Sequence, residues 1–319
     1  MNTSGASMNP GAGTYRGRFA PTPSGPLHMG SLLTALASWL DARAMRGRWL
    51  LRIDDLDRPR CNAAAASEIL RQLEAHGLTW DEAPRRQSAH IQEYDDAIAR
   101  LRNAGALYAC QCTRARLVLA SLRGADGPVY AGTCRDAGFT VDFAAALRFR
   151  LADGETAFDD RIQGVVRRAN HSDIGDFAVC RSDGIRGYHL ACAVDEHAQR
   201  VTNVVRGADL IPSTLCQLHV LRALGYDAPS YAHVPVITDR AGRKLSKQNH
   251  ARPLDARKAA GNLIECLAML EQSPPPSLAR EKVEEIMDWA VKNWTIDTIP
   301  PETTIDAAAA VTAVRPASI

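Results

Sequence analysis

The sequence predicts an α/β fold: a doubly wound parallel sheet, interrupted by an inserted segment and followed by helices. Three observations carry this reading. A strand, helix, strand, helix order opens the chain after residue 14, and the same alternation resumes near residue 201. Between the two runs lie an irregular cysteine-bearing stretch and several β-rich segments.

Taken in order, residues 1–14, MNTSGASMNPGAGT, are rich in Gly, Ser and Asn and are expected to be a disordered tail. The first strand is YRGRFA, 15–20. A loop containing Pro21, Pro23, Ser24, Gly25 and Pro26 forbids a regular element. Leu32, Leu33, Leu36, Trp39 and Leu40 then recur at helical spacing and place a helix over about 30–46. RWLLRID, 48–54, is the second strand, and further helices begin near Asn62 and run from about His90 to Asn103. Tyr108 to Asp136 is irregular. ALRFRLA and FDDRIQGVVRR read as strands, and DFAVCRSDGIRGYHLACAVDEH reads as a hairpin turning at Ser182, Asp183 and Gly184. VTNVVRG is a buried strand, STLCQLHVLRALG a helix closed by Gly225, and AHVPVIT a further strand. The chain is helical from Leu254 and ends in an Ala-rich stretch. The expected organisation is therefore a tail (1–14), a first half of the sheet domain (15–107), an insert (108–175), the second half (176–253), a helical portion (254–305) and a tail (306–319).

With 319 residues, 46% of them hydrophobic and 23% charged, the chain can bury a substantial core without covalent staples. The net charge of +2 and a pI near 8.1 mean that an acidic partner must be recognised by local patches. No cationic segment followed by an apolar run opens the chain, and nowhere do eighteen apolar residues run together. A cytoplasmic protein without membrane attachment is expected. In a reduced compartment the eight cysteines are not a disulfide framework, so their spacing must decide their use.

Two segments point to phosphate chemistry, each with a bland alternative. His28 and Gly30 stand where a tight loop opens a helix, a place where backbone N–H groups favour anions; an isolated H-x-G is otherwise a surface histidine. In DRAGRKLSKQNHA, 239–251, Arg243, Lys244, Ser246 and Lys247 form either a solvated basic loop or a clamp for a polyphosphate. Cys110, Cys112 and Cys134, with Tyr130 between them, are either buried free thiols or metal ligands, and spacing leaves both open. Arg18 ends the first strand, where α/β folds place their ligands. Tyr188 could be a core residue of a strand, and Arg206 an ion-pair partner of Asp209.

The segment RFAPTPSGPLHMGS resembles the HIGH signature of class I aminoacyl-tRNA synthetases, and KLSKQ resembles their KMSKS signature. More narrowly, the run from GRFAPTPSG to RIDDLDRPR, CQCTRAR, GYHLACAVDEHAQRVTNVVRGADL and KLSKQNHA are similar to the glutamyl-Q tRNA(Asp) synthetase family, truncated paralogues of glutamyl-tRNA synthetase. The resemblance covers roughly residues 15 to 295. It implies a Rossmann-like class I synthetase catalytic domain whose insert carries zinc, with a helical C-terminal portion.

The resemblance further implies that His28, Gly30, Ser31, Lys244, Ser246 and Lys247 bind ATP, with His28 and Lys247 stabilising charge during reaction and Mg²⁺ on the phosphates. It implies that Arg18, Phe19, Ala20, Pro21, Thr22, Asp54, Tyr188 and Arg206 bind L-glutamate. The family zinc pattern, C-x-C followed by Y-x3-C, is matched at Cys110, Cys112, Tyr130 and Cys134, implying one structural zinc ion. Where the family usually has Glu in RIED, this chain has Asp54 in RIDD, which sets the carboxylate back by about 1.5 Å. About 70 residues follow Gln248, too few for the anticodon-binding region of a glutamyl-tRNA synthetase. The implied reaction is therefore glutamylation of queuosine in the anticodon of tRNA(Asp), by a monomer. The alternatives are a minimal glutamyl-tRNA synthetase charging tRNA(Glu) and a non-catalytic tRNA-binding paralogue.

Overall fold

The computed structural model describes residues 15–140, 145–239 and 252–306. The first stretch holds β1 (Arg16–Phe19), α1 (Met29–Ala44), β2 (Arg48–Ile53), α2 (Ala63–Ala75), β3 (Arg85–Arg86), α3 (Ile91–Asn103) and β4 (Leu107–Cys110). It continues through α4 (Arg114–Ala120) and the short hairpin β5 (Leu122–Gly124) and β6 (Gly127–Val129). Then come β7 (Ala146–Phe149), β8 (Glu155–Asp160), β9 (Gly164–Ala169), β10 (Ala178–Cys180) and α5 (Tyr188–Ala198). The second half adds β11 (Asn203–Gly207), α6 (Ile211–Leu224), β12 (Ser230–Val234) and β13 (Val236–Thr238). The C-terminal portion is α7 (Ala259–Met269), α8 (Val283–Asn293) and β14 (Thr304–Asp306).

Local chemistry sets the helix ends. The Asn62 side-chain oxygen accepts the Ala65 N–H at 2.7 Å and starts α2. The His28 ring Nδ1 accepts the Ser31 N–H at 3.3 Å at the head of α1. Gly225, with φ of 67°, ends α6 in the left-handed conformation that costs glycine least.

β1, β2 and β3 form a parallel sheet, as do β11, β12 and β8, with β9 antiparallel at its edge. The two halves meet at β1 and the lead-in to β11, where the Thr202 N–H donates to the Arg16 carbonyl at 3.0 Å. In an open parallel sheet the crevice at the carboxyl ends of strands that wind in opposite directions is where ligands bind. The C-terminal ends of β1 and β11 open onto such a crevice.

One core packs Leu32, Leu36 and Leu40 of α1 against Leu263 and Leu267 of α7 and Ile286 of α8, so the C-terminal helices cover the face of the first half. A second joins Tyr94 and Leu101 of α3, Phe149 of β7, Leu190 of α5 and Leu221 of α6. The antiparallel sheet β10, β7, β4 carries the cysteine-bearing segment at one end.

Three local readings are corrected. Residues 176–197 are not a hairpin: past the turn the return leg makes a single bridge, Cys180 with Arg186, and a helix begins at Tyr188. Gly187 lies so close to β10 that a Cβ there would sit 2.5 Å from the Ala178 carbonyl oxygen. The α5 helix is buried nearly all round, with Asp195 and Glu196 as deep as Leu190 and Ala191, so it has no polar stripe to advertise a helix. AHVPVIT breaks at Pro235 into β12 and β13. The end of the helical portion is a strand, β14, which pairs in parallel with β13 through Ile237 and Ile305.

Asp41 of α1, 2% exposed, ties distant pieces together. It accepts hydrogen bonds from the Tyr15 hydroxyl, from both Arg161 terminal nitrogens at 2.6 and 3.0 Å, and from Trp294 Nε1 at 3.3 Å. Asp41→Ala is expected to cost roughly 2–4 kcal/mol in urea unfolding, because it strands several donors at once. A loss under about 0.5 kcal/mol would show that these contacts are incidental.

Candidate active site

A cavity of about 300 Å³ opens at the meeting of the two half-sheets. Arg18, Phe19, Ala20, Pro21 and Thr22 enter it from the end of β1, and His28, Gly30 and Ser31 from the head of α1. Tyr188 comes from the first turn of α5 and Arg206 from β11. Tyr188 is 41% exposed, which a core residue would not be. Asp54 is absent from the cavity wall, and Lys244, Ser246 and Lys247 lie outside the described residues.

Arg18 is 3% exposed and its Nε and Nη2 both donate to Glu196 Oε1, at 3.1 and 3.0 Å. Beneath it, Arg52 donates to both oxygens of Asp54, at 2.7 and 3.3 Å, and stands 3.6 Å from Asp195 and 4.0 Å from Glu196. Asp195 also accepts from Arg85, Gln87 and Tyr94, at 2.7 to 2.8 Å. Burial works to lower the Arg52 pKa, but Asp54, Cys192 and Asp195 outweigh it and hold the guanidinium charged. The same burial raises the Asp54 pKa against the pull of Arg52. Removing one member of a buried pair leaves a stranded charge, at about 3–5 kcal/mol, so the knot is self-locking.

Arg206 is also 3% exposed, but the described residues offer it no carboxylate. Its Nε donates to His233 at 3.2 Å, and its Nη2 to Thr214 at 2.6 Å and Gln217 at 2.8 Å. Its Nη1 is buried and has no hydrogen-bond partner among the described residues. An ion pair with Asp209 is not what holds this arginine. The cavity thus combines two buried guanidinium groups with a helix N-terminus, an environment built for negative charge.

Glu196, Arg52, Asp195, Thr214, Gln217 and His233 support the cavity from behind and are not singled out in the sequence. For Arg52, Asp195 and Glu196 the one signal is charge inside apolar runs, LLRID and LACAVDEH, where a solvated residue has no place; Thr214, Gln217 and His233 carry no such mark.

The Cys110, Cys112 and Cys134 sulfurs lie within 4.8 Å of one another, with Cys112 and Cys134 3.4 Å apart. The Tyr130 hydroxyl stands 3.5 Å from the Cys110 sulfur and 3.8 Å from that of Cys112, and it accepts the Cys134 N–H. Sulfurs around a tetrahedral ion with bonds near 2.3 Å are separated by just under 4 Å, so these thiols could hold a metal. Burial works to raise the Cys110 thiol, but Tyr130, the Cys112 backbone and Arg148 bring it down to about 7. Cys61, Cys180, Cys192, Cys216 and Cys266 have no such grouping among the described residues.

These features are those of a class I tRNA synthetase catalytic domain. The profile of the family described as tRNA synthetases class I (E and Q), catalytic domain, matches residues 14–269. The chain is 47% identical over 294 residues to a glutamyl-Q tRNA(Asp) synthetase of Methylococcus capsulatus, covering 92% of this chain and 95% of the relative. It is 48% identical over 286 residues to that of Chromobacterium violaceum, covering 90% and 95%. A glutamate-tRNA synthetase of Elizabethkingia anophelis superposes with a TM-score of 0.74 at 25% identity, over 93% of this chain and 69% of that one. A glutamate tRNA ligase of Elizabethkingia meningosepticum, in complex with its amino acid, superposes equally well at 24% identity and shares the fold. The chain belongs to the class I (E and Q) tRNA synthetase family, in the branch of the glutamyl-Q tRNA(Asp) synthetases.

Elemental analysis of the purified chain should return one thiolate-loving metal equivalent, and Cys134→Ser should remove most of it. Full-length protein with all three thiols intact and no metal uptake would contradict this.

Proposed function

We propose that this chain activates L-glutamate with ATP and transfers it to queuosine in the anticodon of tRNA(Asp). The observation that carries the reading is the pair of buried arginines, Arg18 and Arg206, converging with the head of α1 on one cavity. Glutamate brings two carboxylates and ATP a polyphosphate, and the cavity offers cations and a helix N-terminus to match. The names carried by relatives at 45–48% identity agree with it.

The glutamate α-carboxylate attacks the α-phosphorus of ATP, forming the mixed anhydride and expelling pyrophosphate. A hydroxyl of the queuosine cyclopentenediol then attacks the acyl carbon and AMP leaves. No protein nucleophile is needed. The chain's own contribution is positioning and charge stabilisation. Arg18 and Arg206 fix the amino acid through its carboxylates, and the backbone at Phe19 to Thr22 and the Tyr188 ring shape the pocket. His28, Gly30 and Ser31, with Lys244, Ser246 and Lys247, take the nucleotide. Mg²⁺ would accompany ATP and neutralise its phosphates.

Asp54 is the family position that departs, and Arg52 occupies both of its oxygens. It acts from behind the cavity wall, by keeping Arg52 paired. The metal of the thiol cluster is read as one structural zinc, held by Cys110, Cys112, Cys134 and Tyr130 and bracing the insert. No described helix is long and apolar enough to cross a membrane. The cytoplasm, where tRNA is found, is the proposed compartment, and a monomer the proposed form.

The test is transfer of labelled glutamate, with ATP, to three RNAs: tRNA(Asp) bearing queuosine, the same tRNA lacking it, and tRNA(Glu). Label only on the first is expected. Label on tRNA(Glu) alone would make the chain a minimal synthetase, and label on none, without pyrophosphate exchange, a binding module. Lys247→Ala should slow adenylate formation by about a hundredfold while shifting glutamate affinity little; equal losses in both would remove the role given to Lys247.

A further inference from the structure

Behind Arg206 lies a chain of buried polar groups that the proposed reaction does not use. Arg206 and His233 are register partners on the adjacent parallel strands β11 and β12, and His233 is fully buried. Its Nδ1 stands 2.6 Å from Asp160 Oδ2 at the end of β8, and its Nε2 stands 3.2 Å from Arg206 Nε and 2.9 Å from the Thr214 hydroxyl. Asp160 is fixed in turn: its Oδ1 accepts the backbone N–H groups of Ile162, Gln163 and His233 at 2.9 to 3.1 Å.

The Thr214 hydroxyl can donate or accept, so it is the Arg206 contact that selects one arrangement on this line. A guanidinium can only donate, so the nitrogen facing Arg206 must offer a lone pair. His233 must therefore be neutral with its proton on Nδ1, and that proton points at the Asp160 carboxylate. We propose that Asp160 and His233 are positioning residues for the substrate-binding arginine: Asp160 fixes the tautomer, and His233 Nε2 then sets the rotation of the Arg206 guanidinium so that Nη1 is left for the ligand.

Two observations independent of the tautomer argument support this. Nη1 is the part of Arg206 that is buried with no partner among the described residues, and Arg206 lines the cavity. The groups around the imidazole also keep it neutral. Burial lowers the His233 pKa, and the Arg206 and Arg18 charges lower it further, against the opposing pull of Asp160. The aromatic rings of Phe158 and Tyr231, centred 5.9 and 6.1 Å from the imidazole, close the remaining sides. A protonated His233 would set an N–H against the Arg206 Nε–H and push the guanidinium off its seat.

The proposal rests on the reading that Arg206 binds glutamate, and the experiment separates the two. Nitrogen NMR of the histidine-labelled full chain, with the His233 signals assigned by their loss in His233→Gln, should show a neutral ring protonated on Nδ1 at pH 7.5. In ATP–pyrophosphate exchange, Asp160→Asn should raise KM for glutamate by about tenfold or more and leave KM for ATP within about twofold. The amide would offer its own N–H to Nδ1 and drive the proton to Nε2, facing Arg206. His233→Gln, which retains an acceptor, should keep more glutamate affinity than His233→Leu, and this comparison serves if Asp160→Asn does not fold. A ring protonated on Nε2 or on both nitrogens, or equal rises in both KM values, would overturn the proposal. Absence of any glutamate-dependent exchange in the unsubstituted chain would instead remove glutamate as the substrate, and the tautomer would still decide the geometry of Arg206.

Discussion

The bond from Arg18 to Glu196 is the interaction on which the rest of the site depends. It joins the end of β1 in the first half-sheet to α5 in the second, across a gap of 178 residues, and both side chains are out of water. Two charges pay heavily to leave water, and their attraction repays this only in good geometry with further hydrogen bonds. That is why the pair does not stand alone. Arg52, Asp54, Asp195 and Arg85 extend it into a network in which each charge meets at least one opposite one. Once such a network is closed, neither half of the sheet can shift without opening it.

Rigidity of this kind suits a cavity that works by positioning. Arg18 is neutralised by a protein carboxylate and Arg206, among the described residues, is not, so the two sides of the cavity differ in their appetite for an anion. Arg18 supplies a fixed donor whose charge is already balanced. Arg206 supplies net positive charge, surrounded by neutral acceptors and with one nitrogen unused. A ligand carboxylate reaching Arg206 completes a pair that the fold leaves half made, and an uncharged amide in its place would leave the arginine unpaired. The thiol cluster solves a different problem. Around it the described structure has short strands and a seven-residue helix whose apolar residues Val118 and Leu119 face solvent, so a metal would supply the cross-link that packing does not.

Much of this was legible in the sequence, and the parts that were not share a cause. Asn62 before an apolar-periodic run announced the start of α2, Gly225 the end of α6, and the loop ahead of His28 the head of α1. The cavity residues were legible because they sit at strand ends and motif positions. The α5 helix is hidden in the sequence because a helix buried nearly all round loses its amphipathic period, and the turn at Ser182 to Gly184 suggests a hairpin. Strand β14 depends on a partner, β13, more than sixty residues away, and three residues of chain carry no period of their own. Glu196, Asp160 and His233 escaped notice because a charge in a sequence reads as a solvated surface group. Only tertiary packing reveals which charges are buried and which neighbour each one holds.

The most direct measurement is a crystal structure of the chain with glutamate bound. A substrate carboxylate is expected within about 3 Å of Arg206 Nη1, with the Arg18 to Glu196 pair intact behind it. Glutamate held elsewhere, or Arg206 turned away onto a protein carboxylate with the amino acid in place, would contradict the assignment of this cavity.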